Sequence, residues 1–230
     1  MGKTMPNHSE LFTAPGVISF GKGTVNYSFS RCLEFMEQKG RELFGDTFRI
    51  YGEDKPIIFK LLIWAIRDQE NAQRLNLNIN KGIMLTGPIG SGKTSLMTLL
   101  RFFIPPDIRH NMKSCREVSF EFHRNGYEVI RKHSILAYDR STGGKKPRAV
   151  CFDDLGTEQN LKYFGNEVNV MGEILLSRYD QFVSDGMLTH LTTNLTAGEI
   201  EEFYGSRVRS RMRSMFNLIS FDANTQDKRH

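Results

Sequence analysis

The chain has 230 residues, 39% hydrophobic and 25% charged, with a net charge of +5; this suits one α/β domain with an N-terminal extension and is too short for two full domains. No apolar run approaches the ~18 residues of a membrane span, and the polar stretch Met1 to Glu10 lacks the apolar core of a secretory signal. Cys32, Cys115 and Cys151 stand far apart without a CxxC pair, which argues against a disulfide framework or a zinc site and for reduced thiols in the cytoplasm.

Residues 1–28, with Pro6, Pro15, Gly16, Gly21 and Gly23 and no apolar periodicity, read as a flexible arm. Phe29 to Phe44 reads as an amphipathic helix stopped by Gly45, and a second helix is predicted over Ile57 to Leu75, with Pro56 in its first turn. The apolar run Gly82 to Thr86 then reads as a strand, followed by a glycine-rich loop and a helix over Ser91 to Phe103. Val118 to Phe122 alternates as a strand, and Asn125 to Ala137 reads as helical. Strands are predicted at Ala149 to Phe152, Met187 to Thr193 and Asn217 to Phe221, and helices at Val168 to Ser184 and Ala197 to Met215. Alternating strands and helices imply a mainly parallel sheet, here of five strands, covered by helices on both faces.

Gly87-Pro88-Ile89-Gly90-Ser91-Gly92-Lys93-Thr94 fits GxxxxGK[ST]. Glycines let successive backbone N–H groups face one anion, and the helix that follows adds its partial positive end. Lys93 is a point charge for the β- and γ-phosphates of ATP, the Thr94 hydroxyl is a ligand for Mg²⁺, and Ser95 continues the nucleotide-binding segment. Ala149 to Leu155 is a buried strand ending in two carboxylates. Asp153 is placed to reach the Mg²⁺, and strand alternation turns Asp154 the other way, toward an attacking water. An Asp here is about one methylene shorter than a Glu, which fits slow hydrolysis. Asn194 closes the next strand, His190-Leu191-Thr192-Thr193-Asn194, and reaches the γ-phosphate or the water if that strand lies between the other two.

The positive charge is concentrated in two segments. Residues 123–148 hold seven Lys/Arg against two Asp/Glu, and residues 203–230 hold six against two. In the first, Arg124, Arg131, Lys132, Arg140, Lys145 and Lys146 are candidate contacts to a nucleic-acid backbone, with Tyr127 and Tyr138 for base stacking. In the second, Arg207, Arg209, Arg211 and Arg213 recur at every second position, so that Arg207 and Arg211 share a helix face and require an anion to relieve their repulsion.

These motifs in this order resemble the AAA+ ATPases of the DnaC type, the bacterial replicative-helicase loaders, and their IstB-type relatives of insertion sequences. The more specific element is Tyr204-Gly205-Ser206-Arg207-Val208 with Ser210-Arg211-Met212-Arg213, which looks like box VII of the loaders. The resemblance covers about residues 50–222 and implies an AAA+ domain over 29–222 with a reduced lid, followed by a tail at 223–230. It further implies a homo-oligomer when ATP-bound, with Arg211 as the finger reaching a neighbour's ATP and Arg207 as a second arginine of that box. Implied partners are single-stranded or duplex DNA and a replicative helicase or a transposase. Lys228 and Arg229 are the late candidates for sensor 2. The alternatives are an IstB-like transposition ATPase, a P-loop small-molecule kinase, and a nucleotide-gated binding module with negligible turnover.

Overall fold

The computed structural model describes residues 14–21, 24–140, 144–158, 161–163 and 166–229. They fall into two compact units, one drawn from Met1–Leu77, Ser95–Arg109 and Lys228–His230, the other from Asn78–Thr94 and His110–Asp227.

In the first unit, β1 (Ile18–Gly21) and β2 (Thr24–Tyr27) form an antiparallel hairpin with Ile18 opposite Tyr27. This hairpin lies within the segment read as an arm. Helix α1 (Phe29–Phe44) buries Cys32, Phe35, Met36 and Gly40, one stripe at helical spacing, and stops at Gly45. Phe35 meets Phe102 and Phe103 edge-on at ring centroid distances of 5.6 and 5.8 Å. Helix α2 (Lys55–Ala65) carries Pro56 in its first turn and buries Ile57, Ile58 and the whole run from Leu61 to Ala65. The single helix expected over 57–75 is two. Arg67 takes a left-handed φ of 61°, and the Asp68 carboxylate accepts the Asn71 N–H at 3.0 Å, starting a new helix α3 (Gln69–Arg74). The apolar spacing ends at Ile66, and the N-cap at Asp68 starts a separate, polar helix.

The second unit is built on one sheet. Its elements in chain order are β3 (Gly82–Thr86), the start of α4 (Lys93–Leu100), β4 (Asn111–Ser114), α5 (Cys115–Asn125), α6 (Glu128–His133), β5 (Tyr138–Asp139), β6 (Lys146–Pro147), β7 (Val150–Leu155), β8 (Leu161–Tyr163), β9 (Asn166–Val168), α7 (Val170–Asp185), β10 (Thr189–Thr193), α8 (Ala197–Met215) and β11 (Phe216–Ser220). Five strands pair in the order β11-β3-β10-β7-β4, every pairing parallel. This is the expected α/β architecture, a five-stranded parallel sheet with the glycine-rich loop leaving β3. Every residue of β10 is buried, as a central parallel strand requires. Gly82 is demanded by close approach, since a Cβ there would fall 1.6 Å from the Thr189 carbonyl oxygen. Among the described residues no helix follows β11.

The expected strand Val118 to Phe122 is instead part of α5, and the strand before it is the polar edge segment Asn111–Ser114. Cys115, Val118, Ser119 and Phe122 are buried at helical spacing while Phe120 is 52% exposed. The alternation of Val118, Phe120 and Phe122 is therefore accidental. An edge strand needs only half its pairing and little apolar surface, so its sequence carries a weak signal. The helix expected over Asn125 to Ala137 is shorter because Gly126 ends α5 and separates it from α6.

Arg178 of α7 is almost wholly buried, yet its neighbours are neutral acceptors. It donates to Thr189 Oγ1 at 2.7 Å and to the carbonyls of His133, Arg148 and Leu188 at 2.9, 3.1 and 2.8 Å. Burial pushes its pKa down to about 9. The fork pins α7 to the entry of β10 and ties in the end of α6 and Arg148, ahead of β7.

On β10, the buried His190 accepts the Ile83 N–H through Nδ1 at 3.1 Å. Burial, then His110 and Arg178, hold its pKa well below 6.5. The folded state therefore keeps His190 neutral, while the unfolded chain takes up a proton below about pH 6.5. Its contribution to stability is intact above that value and is lost as pH falls, with a slope of about 1.4 kcal/mol per pH unit for one proton. Urea titrations between pH 7.5 and 5 should show this loss, and His190→Gln, which keeps an acceptor without titrating, should show a shallower slope.

Candidate functional site

The glycine-rich loop leaves β3 and enters α4, as its sequence requires. Gly90 and Gly92 hold left-handed φ values of 79° and 92°. A Cβ at Gly90 would also fall 2.0 Å from Asp227 Oδ1, so the tail carboxylate rests on the loop. Ser91 and Lys93 are buried. The Lys93 ammonium donates to the carbonyls of Gly87 and Pro88, both at 2.8 Å. It is thus held inside the loop's own concavity, where an anion's oxygens would compete for it.

Strand β10 lies between β3 and β7, the placement that the reading of Asn194 required. This order brings Thr94, Asp153 and Thr192 together. Asp153 Oδ1 accepts from Thr94 Oγ1 at 2.9 Å and from Thr192 Oγ1 at 2.6 Å. Thr192 Oγ1 in turn accepts the Asp154 N–H at 2.9 Å. Burial raises the Asp153 pKa; the Thr192 bond opposes this, the Asp154 charge adds to it, and Thr94 and Lys93 again oppose it.

The two carboxylates do not follow strict strand alternation. Leu191 pairs with Phe152 and Thr193 with Leu155, so Asp153 and Asp154 together face the single residue Thr192 across a bulge. Asp154 is exposed and takes a left-handed φ of 57°, a strained state for a residue with a Cβ. The bulge removes the alternation premise from which Asp154 was assigned a direction. Asn194 is exposed just beyond β10. The bonds at this strand end are made by the threonines, since Thr193 Oγ1 donates to the Leu155 carbonyl at 2.7 Å and accepts the Leu195 N–H at 3.0 Å. Thr192 and Thr193 were given no role of their own from sequence. Two hydroxyls in succession at the end of a wholly buried strand were the available signal.

Thr94 and Asp153 fit a hard divalent cation. They bring a hydroxyl and a carboxylate oxygen to one point beside the loop, and Mg²⁺ takes one or two protein oxygens and completes its shell with phosphate and water. Among the described residues no group of three or more His, Cys, Asp or Glu side chains forms an all-protein metal site.

The arginines lie on α8, outside this hydrogen-bonded cluster. Gly205, with φ 83° and ψ 160°, breaks α8 just before them. Arg207 is exposed. Arg209 pairs with Glu201, and the Arg211 guanidinium stacks on the Tyr179 ring at 4.2 Å. An ion pair and an aromatic face therefore relieve part of the repulsion without an external anion. Lys228, a late candidate for sensor 2, is paired with Asp54 and Glu53 inside the first unit.

The basic segment is more neutralised than its composition suggests. Arg131 pairs with Glu128 at 2.8 Å, Lys132 with Glu121 at 3.0 Å, and Lys145 with Asp185 at 3.3 Å. Glu121 is held down at about 2 because, against the cost of burial, it accepts from Lys113, His133 and Lys132. Arg124, Arg140 and Lys146 are exposed. Tyr138 is not available for stacking: it is buried and donates to Gln181 at 2.6 Å. Tyr127 is 50% exposed, as is Phe120 at 52%, which carries the Arg116 guanidinium 5.4 Å above its ring.

No family model matches the sequence, and no curated protein matches it. Solved structures do share the fold. The DnaC helicase loader superposes with a TM-score of 0.52 at 16% identity, covering 77% of this chain and 95% of that one. A candidate primosome component from Streptococcus pyogenes serotype M3 gives a TM-score of 0.51 at 15% identity, covering 76% and 83%.

Thr192→Val removes the shared hydroxyl at nearly constant volume and leaves the Asp154 N–H and the Asp153 carboxylate without it. Denaturant unfolding should show a loss of about 1–3 kcal/mol, and Thr192→Ser should recover most of it.

Proposed function

We propose that the chain is an ATP-binding and ATP-hydrolysing AAA+ protein that acts on DNA as a DnaC-like loader of a replicative helicase. The observation that carries this reading is the 2.9 Å contact between the Thr94 hydroxyl and the Asp153 carboxylate, a loop ligand and a strand ligand converging where a triphosphate tail would end. The AAA+ fold shared with the DnaC helicase loader supports it. On this reading residues 29–222 are the ATPase domain, residues 1–28 an arm and residues 223–230 a tail.

The roles follow from the chemistry of each group. Amides of Gly87 to Gly92 and the opening of α4 receive the phosphates, and Lys93 exchanges its two carbonyl partners for β- and γ-phosphate oxygens. Thr94 and Asp153 hold Mg²⁺, which when bound neutralises charge on the β- and γ-phosphates. Asp154 accepts the proton of the attacking water, and Asn194 orients that water or the γ-phosphate. Arg211, with Arg207, leaves its own subunit's surface to reach the neighbour's γ-phosphate, so the ATP-bound form is a homo-oligomer. Arg124, Arg131, Lys132, Arg140, Lys145 and Lys146 contact the DNA backbone, with Tyr127 and Phe120 as exposed stacking faces. The protein works in the cytoplasm, with a replicative helicase as partner.

The test is ATP turnover and oligomeric state with and without single-stranded DNA. Lys93→Ala should lose nucleotide binding, and Asp154→Asn should bind ATP without turning it over. Arg211→Ala should bind ATP but lose turnover by about 10³-fold or more, and mixing it with Lys93→Ala should restore activity because each subunit supplies what the other lacks. A monomer that phosphorylates a metabolite would overturn this reading. Separately, single-strand affinity should fall steeply between low and high salt, and a preference for duplex would favour the transposition-type relative instead.

A further inference from the structure

Glu158, three residues past the end of β7, accepts two hydrogen bonds at once. Oε2 takes the Gly156 N–H at 2.9 Å, and Oε1 takes the Tyr204 hydroxyl. Gly156 directly follows the strand that carries Asp153 and Asp154. Tyr204 is the last residue before the break in α8 at Gly205. Burial, then the Glu158 carboxylate, keeps the Tyr204 phenol protonated and so a donor.

A second tie joins the same two regions. Asn169 caps α7 by accepting the Gly172 N–H at 2.8 Å, and its Nδ2 donates to the Phe203 carbonyl at 2.7 Å. The last two residues of the first half of α8 are therefore both bound to segments that follow β7. The second half carries Arg207 and Arg211, and the non-helical Gly205 puts a kink between the halves. Packing alone does not require a hydroxyl at position 204, since a phenylalanine fills the same volume.

We infer that Glu158 and Tyr204 are positioning residues that transmit the position of the β7 carboxylate end to the arginine-bearing half of α8, and so set how one subunit presents its arginines to the next. The inference rests on the ATPase reading above. A shift of Gly156 on nucleotide binding pulls on Glu158, Glu158 pulls on Tyr204, and the bend at Gly205 converts this into a change of direction for Arg207 and Arg211.

The experiment is steady-state ATPase on the full chain, with nucleotide affinity measured in parallel. Tyr204→Phe and Glu158→Ala should lower kcat by about tenfold or more, with ATP affinity and KM unchanged. Glu158→Gln, whose amide oxygen still accepts the Gly156 N–H while its NH2 group donates to the Tyr204 oxygen, should retain most turnover. Mixing then locates the effect. Arg211→Ala subunits supply the working phosphate loop and Lys93→Ala subunits the arginines, and adding Tyr204→Phe to the arginine donor should abolish the restored activity. A Tyr204→Phe donor as effective as its parent would overturn the inference, as would unchanged kcat with only a lower melting temperature, or a loss of ATP affinity that accounts for the whole defect. A wild-type chain without turnover would overturn the ATPase reading and this inference with it, whereas wild-type turnover with indifferent variants overturns this inference alone.

Discussion

The hydroxyl of Thr192 stands between the two carboxylate residues of the neighbouring strand, donating to one and accepting from the backbone of the other. A single side chain thereby stabilises a bulge in which two residues oppose one. Without that hydroxyl, the extra residue would leave an N–H unsatisfied and a carboxylate poorly aimed. With it, Asp153 is directed at Thr94 and Asp154 is held in a left-handed conformation at the rim of the sheet. The contact between Thr94 and Asp153 depends on the Thr192 hydroxyl that aims the carboxylate.

The polar groups buried in the second unit are arranged on the same principle. Arg178 satisfies three carbonyls and a hydroxyl, and His190 accepts a backbone N–H, both against β10. Arg178 fixes one strand position through several partners at once, which an apolar side chain cannot do. Precise placement of β10 matters because it lies between the phosphate-loop strand and the carboxylate strand. A slip there would separate Thr94 from Asp153.

Much of the architecture was legible where apolar periodicity was strong. The apolar starts of β3 and β7 and the segment of β10 read as strands, α1 and α8 as helices, and the alternation of the two types as a parallel sheet. Legibility failed where local chemistry competed with period. Asp68 capped a new helix where one helix had been read, and Phe120 imitated a strand while pointing to solvent. Charge pairing was not legible either, because Lys132 and Lys145 meet carboxylates brought from other elements.

The order of residues by itself determined the phosphate loop and the pair of acids, because both are contiguous and their chemistry depends on neighbours along the chain. Glycines at 90 and 92, a lysine and a hydroxyl in succession require no distant partner to be recognised. Tertiary structure decided everything that depends on register: the placement of Thr192 against Asp153, the bulge that breaks alternation, the stacking of Arg211 on Tyr179, and the bridge from Glu158 to Tyr204. Those contacts join residues tens of positions apart. Their geometry is set by how strands pair and helices pack, which no local pattern of residues encodes.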